Sequence, residues 1–342
     1  MPRLEEVFNT AELINYYKER TLEPMLGESL FPERKIQDIE FDMILGGGGL
    51  PVSASVHALD TATQLASREA IQRGVAALAL IKRQIKITEK EIIKINNPRT
   101  DAELRQVIAQ LYNDSEKMLE SVRVRVEAMR MEALATGKLK IEENGVKVTL
   151  DYGLPKGNQK TFDWKDENTS DPLKDLETLA AAVESESGVR PTRGLTSRKI
   201  INSLKKNLRV RESIHGVNSA KVVTTEELNN LLTSLELPTL MSYEGKYRVE
   251  TAKGYTSKRY FPEDAIAMFG PNTLGETIYG LTAEEVKLIG SGQIDMAEMV
   301  GNIFVGTYTS IDPVAEFTKA ACTALPSFPS ANELGVATIT LS

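Results

Sequence analysis

One long stretch of helical periodicity constrains this chain more than any other feature of its sequence. Apolar residues recur at helical spacing across residues 104–129, and Thr100 and Glu103 form a capping box just before them. Gly137 stands where a glycine commonly ends a helix. The pattern predicts a single helix over about 101–136, roughly 50 Å long at 1.5 Å per residue. Few single globular domains need a helix of that length.

The predicted helix is not typical of a coiled coil. Ser115 and Arg125 interrupt its apolar stripe, whereas a coiled coil needs an unbroken apolar seam. The polar run 113–115 also predicts a kink or a break within the helix. We therefore expect Met118, Val122 and Met129 to pack against a sheet of the same domain rather than against a second long helix.

The segment before this helix combines an arm with a long excursion. Residues 1–35 contain a short helix and an irregular apolar stretch, and we expect them to lie across another part of the fold or across another subunit. Alternating strands at 36–45 and 84–88 flank a segment that begins with four glycines, 46–49, and is predicted to be partly helical over 61–81. Two strands joined by such a long loop suggest a projecting hairpin-like arm with a function or an intermolecular contact.

The chain after the long helix contains separate runs of helices and strands. An Asn-Gly pair at 144–145 predicts a tight turn in a hairpin over 138–150, and the turn-rich residues 153–170 predict a domain boundary. Further helices are predicted from Pro172 to just before Gly188, over 195–208 and over 225–236. Further strands are predicted at 241–250, 265–269, 274–279, 303–309, 316–323 and 335–341. Such segregation indicates an α+β fold.

Composition and charge exclude several classes of protein. The 342 residues include 41 Lys and Arg against 48 Asp and Glu, and the resulting net charge of −7 disfavours tight nucleic-acid binding. A single cysteine, Cys322, rules out an internal disulfide framework, and the two histidines, His57 and His215, show no metal-ligand spacing. The longest apolar run, 75–81, is far shorter than the ~20 residues of a membrane span. We expect no secretory signal, and a protein made in a reducing cytoplasm.

No motif supports catalysis, a cofactor or a metal. The glycines at 46–49 lack the Lys-Ser/Thr of a phosphate-binding loop, and Cys322 is expected to be a small buried residue. The acidic stretch 163–171 lacks the calcium-loop pattern, so a solvated loop ending in a helix cap is favoured. The basic run 205–211 is short and has no aromatic residue, which favours a solvated helix face or a subunit contact over nucleic-acid binding.

Several segments, taken in order, resemble one protein family. They are Thr10-Ala-Glu-Leu, Leu30-Phe-Pro-Glu-Arg-Lys, Ala133-Leu-Ala-Thr-Gly-Lys-Leu-Lys-Ile, Ser170-Asp-Pro-Leu-Lys-Asp-Leu, Phe261-Pro-Glu-Asp-Ala-Ile-Ala-Met, Asp312-Pro-Val-Ala-Glu-Phe-Thr and Ala324-Leu-Pro. With the excursion, the long helix, the strands around Val249 and the terminal strand, their order and spacing resemble the major capsid proteins of tailed bacteriophages, specifically the lambda-like E family. The match covers nearly the whole chain.

The resemblance implies the Hong Kong 97 capsid fold. It maps an N-terminal arm to 1–35, an extended loop to 36–95, a peripheral domain with a spine helix to 96–169, an axial domain to 170–300, and a return to the peripheral domain to 301–342. Some relatives join subunits by an isopeptide cross-link, which needs a Lys, an Asn and a catalytic carboxylate in register. This sequence does not place those three. Some relatives also carry a scaffolding region fused ahead of the arm, and we expect none here because about 35 residues is too short for one.

The resemblance also implies a structural role. Copies of the chain would form the hexamers and pentamers of an icosahedral phage head around double-stranded DNA, in the virion, after assembly in the host cytoplasm. A separate scaffolding protein, a portal protein and a decoration protein are the implied partners, with no membrane and no sequence-specific DNA binding. The nearest alternative is an encapsulin-like nanocompartment shell. A soluble enzyme of two α+β domains is a rival that would need the catalytic cluster or phosphate loop missing here.

Candidate subunit contacts come from the glycine run and charges of the projecting loop and from the basic run. They are Gly46, Gly47, Gly48, Gly49, Arg68, Glu69, Arg73, Lys205, Lys206, Arg209 and Arg211. We expect residues 46–74 to contact a neighbouring subunit rather than their own core.

Overall fold

The long periodic stretch forms one continuous helix in the computed structural model, Asp101–Thr136, as the sequence predicts. The break predicted at 113–115 is absent. The buried Ser115 hydroxyl donates to the Tyr112 carbonyl oxygen at 2.7 Å and lies 2.7 Å from the Tyr17 hydroxyl. Because the Ser115 hydroxyl has these hydrogen-bond partners, the serine can be buried in the apolar stripe without breaking the helix.

The structure describes residues 10–18, 22–45, 72–97, 100–217, 219–251, 254–290, 302–312 and 314–341. Its helices are α1 Thr10–Lys18, α2 Leu26–Leu30, α3 Glu89–Asn96, α4 Asp101–Thr136, α5 Pro172–Ser187, α6 Arg198–Lys206, α7 Leu208–His215, α8 Thr225–Ser234 and α9 Ala283–Gly290. Its strands are β1 Glu33–Lys35, β2 Glu40–Leu45, β3 Gln72–Ala77, β4 Ala79–Ile87, β5 Lys138–Glu143, β6 Val146–Asp151, β7 Gln159–Asp163, β8 Arg193–Thr196, β9 Thr239–Ser242, β10 Lys246–Thr251, β11 Gly254–Arg259, β12 Ala265–Phe269, β13 Glu276–Gly280, β14 Phe304–Ile311, β15 Val314–Ser327 and β16 Gly335–Thr340. The α+β class is confirmed.

The described chain divides into two compact units, each drawn from three ranges of the sequence. The first unit takes its residues from 1–41, 75–129 and 276–326, and the second from 42–74, 130–275 and 327–342. This grouping differs from the domain ranges that the resemblance implies. It places 130–169 and 327–342 in the second unit and 276–300 in the first.

A mixed sheet and the first part of α4 build the core of the first unit. The strand order is β1-β13-β15-β14, and β4 pairs with β15 off this path. The pairing of β1 with β13 is parallel, and β15 runs antiparallel to both β14 and β4. The buried cluster includes Ile87, Leu111, Met118, Leu119, Val122, Val126, Tyr279, Val305, Ala320 and Cys322. The predicted packing against a sheet is confirmed for Met118 and Val122, whereas Met129 is buried but lies outside this cluster.

The arm packs onto the first unit through α1. Leu13 and Tyr17 are buried in the same cluster, and α1 lies against β14. The Tyr16 hydroxyl donates to a carboxylate oxygen of Glu116 on α4 at 2.5 Å. Of the two placements that the sequence leaves open, residues 10–18 therefore take the one on their own chain.

The strands at the base of the predicted loop differ from the prediction. β2 pairs with β3 in a two-stranded sheet, whereas the sequence suggests 84–88 as its counterpart. Those residues lie in or next to β4, which pairs with β15. Residues 72–77 and 79–81 are strand, so the prediction of helix up to residue 81 is wrong in this part. Their alanine and leucine content favours helix, and pairing with distant strands overrides that local preference.

A five-stranded sheet covered by helices builds the second unit. The strand order is β7-β16-β12-β8-β9, with parallel β7–β16 and β8–β9 pairs and with β12 antiparallel to its two neighbours. Apolar residues of α5, α6, α7 and α8 pack with those of the sheet. The buried cluster includes Leu176, Leu179, Ile200, Leu204, Val210, Leu228, Leu232, Leu240, Ile266, Met268 and Ile339.

Side-chain caps set the helix boundaries of the second unit. Asp171 accepts from the Lys174 backbone N–H and begins α5, which spans the range that the sequence predicts. Ser197 caps α6 in the same way, and Asn207 caps α7. The prediction of one helix over 195–208 is therefore wrong, because Asn207 ends α6 and begins the next helix.

The stretch predicted as one strand over 241–250 is two strands. β9 lies at the edge of the five-stranded sheet, and β10 pairs with β11 in a separate ribbon. The break includes Gly245, where a Cβ would lie 2.9 Å from the Tyr260 ring. The Tyr243 and Tyr260 rings stack with their centroids 5.8 Å apart, and glycine leaves room for both.

Replacing Gly275 with alanine is expected to destabilise the second unit. A Cβ there would lie 2.0 Å from the Ser327 carbonyl oxygen and 3.2 Å from the Phe328 Cα, so the backbone would have to move. Overpacking of this kind costs about 1–3 kcal/mol, and we expect the upper end of that range in chemical denaturation. Gly157→Ala is the matched control, because no heavy atom lies within 4 Å of its Cβ position. Equal stability of the two variants would contradict the close approach.

Candidate assembly surfaces

Cys322 and the acidic loop 163–171 have structural roles. Cys322 is buried within β15, as expected for a small apolar residue. The acidic loop 163–171 forms a turn and a helix cap, in which Asp166 accepts from the Asn168 backbone N–H and Asp171 caps α5. The described residues hold no group of metal-ligating side chains, and none of the described helices is both long and apolar enough to cross a membrane. The remaining candidates are surfaces.

Most of the loop candidates lie outside the described residues. These are the four glycines 46–49, Arg68 and Glu69. Arg73 lies on β3, and the pairing of β3 with β2 brings residues 45 and 72, the two ends of the loop, to the same two-stranded sheet. The contact of residues 46–74 with a neighbouring subunit stays a prediction.

The structure divides the basic run between two helices. Lys205 and Lys206 end α6, and Arg209 and Arg211 lie on α7. Asn207 separates the two pairs by capping α7. Lys206 and Arg209 are exposed, whereas Lys205 and Arg211 are half-buried. The run is therefore not one continuous helix face.

The exposed side of α6 gathers cations from separate parts of the sequence. Lys199 and Lys206 line a groove of about 280 Å³ together with Lys165 from the loop after β7. Arg198 and Lys205 line a second groove of about 480 Å³. We call these five cations the lysine patch: Lys165, Lys199, Lys205, Lys206 and Arg198. The sequence signal for it is a cation pair repeated after seven residues, which places both pairs on nearly the same side of a helix.

The hairpin after the long helix carries an apolar stripe to its tip. β5 and β6 pair around Asn144 and Gly145, whose positive φ angles of 48° and 81° fit the turn predicted from Asn-Gly. Ile141 is buried, and its cross-strand partner Val148 is 40% exposed. Val146 follows at the tip and is 51% exposed. The apolar face of this hairpin therefore continues beyond the core.

The sheet of the first unit also presents an apolar hairpin tip. β14 pairs with β15 on one side only and forms an edge among the described strands. At the tip, Ile311 is 90% exposed and Val314 is 50% exposed. Exposed strand edges and apolar tips are templates for pairing with another chain, so these features are typical of a protein that assembles.

Ion pairs hold the start of α9 within the first unit. Lys35 lies 2.8 Å from Glu285, whose side chain is almost fully buried, and Lys319 pairs with Glu284. Burial raises the pKa of Glu284, but the hydrogen bond and charge of Lys319 outweigh it and leave the pKa below its usual value. A carboxyl with a depressed pKa stabilises the fold above its unfolded pKa and loses that effect as the pH falls through its folded pKa.

Comparison with known proteins identifies the family of this chain. A model of the family described as phage major capsid protein E matches residues 9–339. The chain is similar to a prophage protein of Escherichia coli CFT073 that is described as a candidate capsid protein, with 17% identity and a TM-score of 0.65 over 97% of this chain and 99% of that one. It is also similar to a phage-related protein from Bordetella bronchiseptica RB50, with 13% identity and a TM-score of 0.56 over 99% and 98%. No curated protein matches the sequence significantly.

The family match and the structural similarity both cover the whole of the fold. The family match spans both compact units, and the similarity to the two solved structures extends over nearly the full length of each chain. The expected Hong Kong 97 capsid fold is confirmed. The chain belongs to the phage major capsid protein E family.

Proposed function

We propose that copies of this chain assemble as hexamers and pentamers into an icosahedral phage head that encloses double-stranded DNA. The observation that carries this proposal is the family match over residues 9–339, because the family consists of phage major capsid proteins, which form the shell of the virion. The match favours a phage head over an encapsulin-like nanocompartment. The role is structural rather than catalytic.

Within this shell, the two units correspond to the two domains of the fold. The first unit supplies the peripheral domain, because it holds most of the spine helix α4 and the mixed sheet on which that helix packs. The second unit supplies the axial domain, because it holds the five-stranded sheet and its covering helices. Residues 327–342 then belong to the axial domain through β16, rather than to the peripheral return.

The extended loop makes a contact between subunits. Residues 46–74, with the glycines 46–49, Arg68, Glu69 and Arg73, reach a neighbouring copy. The β2–β3 pair supports this, since it holds both ends of the loop together at one place. The basic-run residues are further contact candidates: Lys206 and Arg209, which are exposed, and Lys205 and Arg211, which are half-buried. A separate scaffolding protein, a portal protein and a decoration protein are the further partners.

Sedimentation velocity of the purified full chain tests the proposal. One subunit has a mass of 37.7 kDa, and closed particles of many subunits would sediment in a separate, far faster boundary. We expect that boundary to appear as the protein concentration is raised. A single boundary at the mass of one subunit, over a series of concentrations and salt conditions, would contradict self-assembly.

A further inference from the structure

The lysine patch holds more cations than carboxylates: Glu167 lines the groove of Lys165, Lys199 and Lys206, and Glu244 accepts from the Arg198 backbone N–H beside the other groove. None of its four lysines, Lys165, Lys199, Lys205 and Lys206, forms an ion pair with a carboxylate of the described residues. Many other cations do, as in the β5–β6 hairpin, where three lysines pair with Asp151 or Glu142. In a chain of net charge −7, such a local excess of positive charge calls for an anionic partner.

The two grooves beside α6 add neutral hydrogen-bonding groups to the charges. Asn202 lines both grooves and lies between the two cation pairs. Ser203 lines the groove of Lys199 and Lys206, and Thr225 lines the other. Asn229 also lines that second groove, but its amide is held by the Leu240 backbone. Lys, Arg, Ser, Thr and Asn side chains are the groups that commonly bind the phosphates of nucleic acids.

The composition of the patch favours phosphate over the surface of a protein. The centres of protein interfaces are enriched in Arg, Met and aromatic residues and depleted in Lys. The patch has four lysines to one arginine, and the Trp164 ring in its groove is buried. One exposed apolar side chain, Met241, lines the groove of Arg198 and Lys205, so lysine dominates the patch without an exposed aromatic anchor. Lysine acts as a flexible point charge, which suits a polyanion without a fixed register.

The dimensions of the patch also suit a duplex. Lys199 and Lys206 are seven residues apart, about 10 Å along the helix axis. Double-stranded DNA carries one charge per ~1.7 Å of its axis, so that length presents about six phosphates. Counting both strands, the phosphates slightly outnumber the five cations of the patch. The patch can therefore contact phosphates in any register along the duplex.

We propose that the lysine patch binds the phosphate backbone of double-stranded nucleic acid without reading its sequence. The proposal rests on the shell function, which provides an enclosed duplex as the ligand. Each neutralised phosphate contributes a slope of about −0.9 to the dependence of log K on log salt, so about four contacts give about −3.6. Affinity should therefore fall about 50-fold from 50 to 150 mM salt. One subunit then binds weakly at physiological salt, and many subunits in a shell act together.

Fluorescence anisotropy with a labelled 20-base-pair DNA duplex tests this on unassembled full-length subunits across 25–200 mM NaCl. We expect dissociation constants of about 2 µM at 50 mM and about 100 µM at 150 mM. The variant K199Q/K205Q/K206Q should weaken binding at 50 mM about tenfold or more and make the salt slope shallower by about 2.7. The variant K199R/K205R/K206R should keep both values.

The variant K138Q/K140Q/K147Q is the matched control. It changes the net charge by the same amount and lies on the β5–β6 hairpin, where the lysines are already paired. We expect its salt slope to match that of the unmodified chain. Equal losses in both triple variants would overturn the proposal, because the effect would then follow net charge alone. An unmodified chain that fails to bind at 25 mM NaCl would also overturn it.

Sedimentation of the same variants separates this proposal from the shell function. If K199Q/K205Q/K206Q forms particles but loses the duplex, the lysine patch is a phosphate site. If it keeps the duplex and loses particles, the lysine patch is a subunit contact and the proposal is wrong. Failure of the unmodified chain to form particles would count against the shell function, whatever its affinity for the duplex.

Discussion

Met118→Asp is expected to leave little folded protein. Met118 is 6% exposed and lies on α4 in the cluster that joins this helix to the sheet of the first unit. An unpaired charge buried there costs about 3–5 kcal/mol, which is a large part of the ~5–15 kcal/mol that holds a domain folded. We expect the variant to accumulate as insoluble protein, or to melt far below the unmodified chain in a thermal scan.

Gln106→Asp provides the control for this substitution. It places the same residue on an exposed position of the same helix, so the helix propensity changes in a similar way without burying a charge. We expect it to change the free energy of unfolding by less than about 0.5 kcal/mol. A soluble Met118→Asp variant with the thermal stability of Gln106→Asp would show that this side of α4 is not core.

Deleting residues 46–71 is expected to abolish particle formation while leaving a folded subunit. The deletion begins after β2 and ends before β3, and a two-residue Asn-Gly turn can close the pair of strands that remains. All the described residues of both hydrophobic clusters lie outside the deletion. We therefore expect unchanged thermal unfolding, together with sedimentation at the mass of a single subunit or a small oligomer.

The control keeps the length of the loop and removes its side chains. A variant with residues 46–71 replaced by a Gly-Ser linker of equal length should also fail to assemble if the side chains make the contact. If only the shortened variant failed to form particles, the length of the loop rather than its side chains would be needed for assembly. Closed particles from the shortened variant would show that the extended loop is not needed for subunit contact.

Elements with strong local signals were predictable from the sequence. The long helix follows from its apolar period and its glycine end, the β5–β6 hairpin from Asn-Gly, and α5 from Asp171 and Pro172. Each of these signals is read from residues close together in the chain. The family resemblance adds the order in which such elements follow one another.

Features that depend on distant residues were not predictable in the same way. Residues 72–77 form a strand because β2 is there to pair with them, although their own composition favours helix. The place of the arm depends on hydroxyl and carboxylate partners on α4, such as Glu116 for Tyr16. The lysine patch needs Lys165 beside α6, and only the packing of the second unit brings the two together.

Negative-stain electron microscopy of the purified full chain tests the central claim, self-assembly into a shell, most directly. We predict closed particles of uniform diameter, with capsomers around five-fold and six-fold positions. Tubes or sheets of the same capsomers would also fit a shell protein without its scaffolding partner. A field of dispersed single subunits, at concentrations where the chain is folded and soluble, would contradict the account.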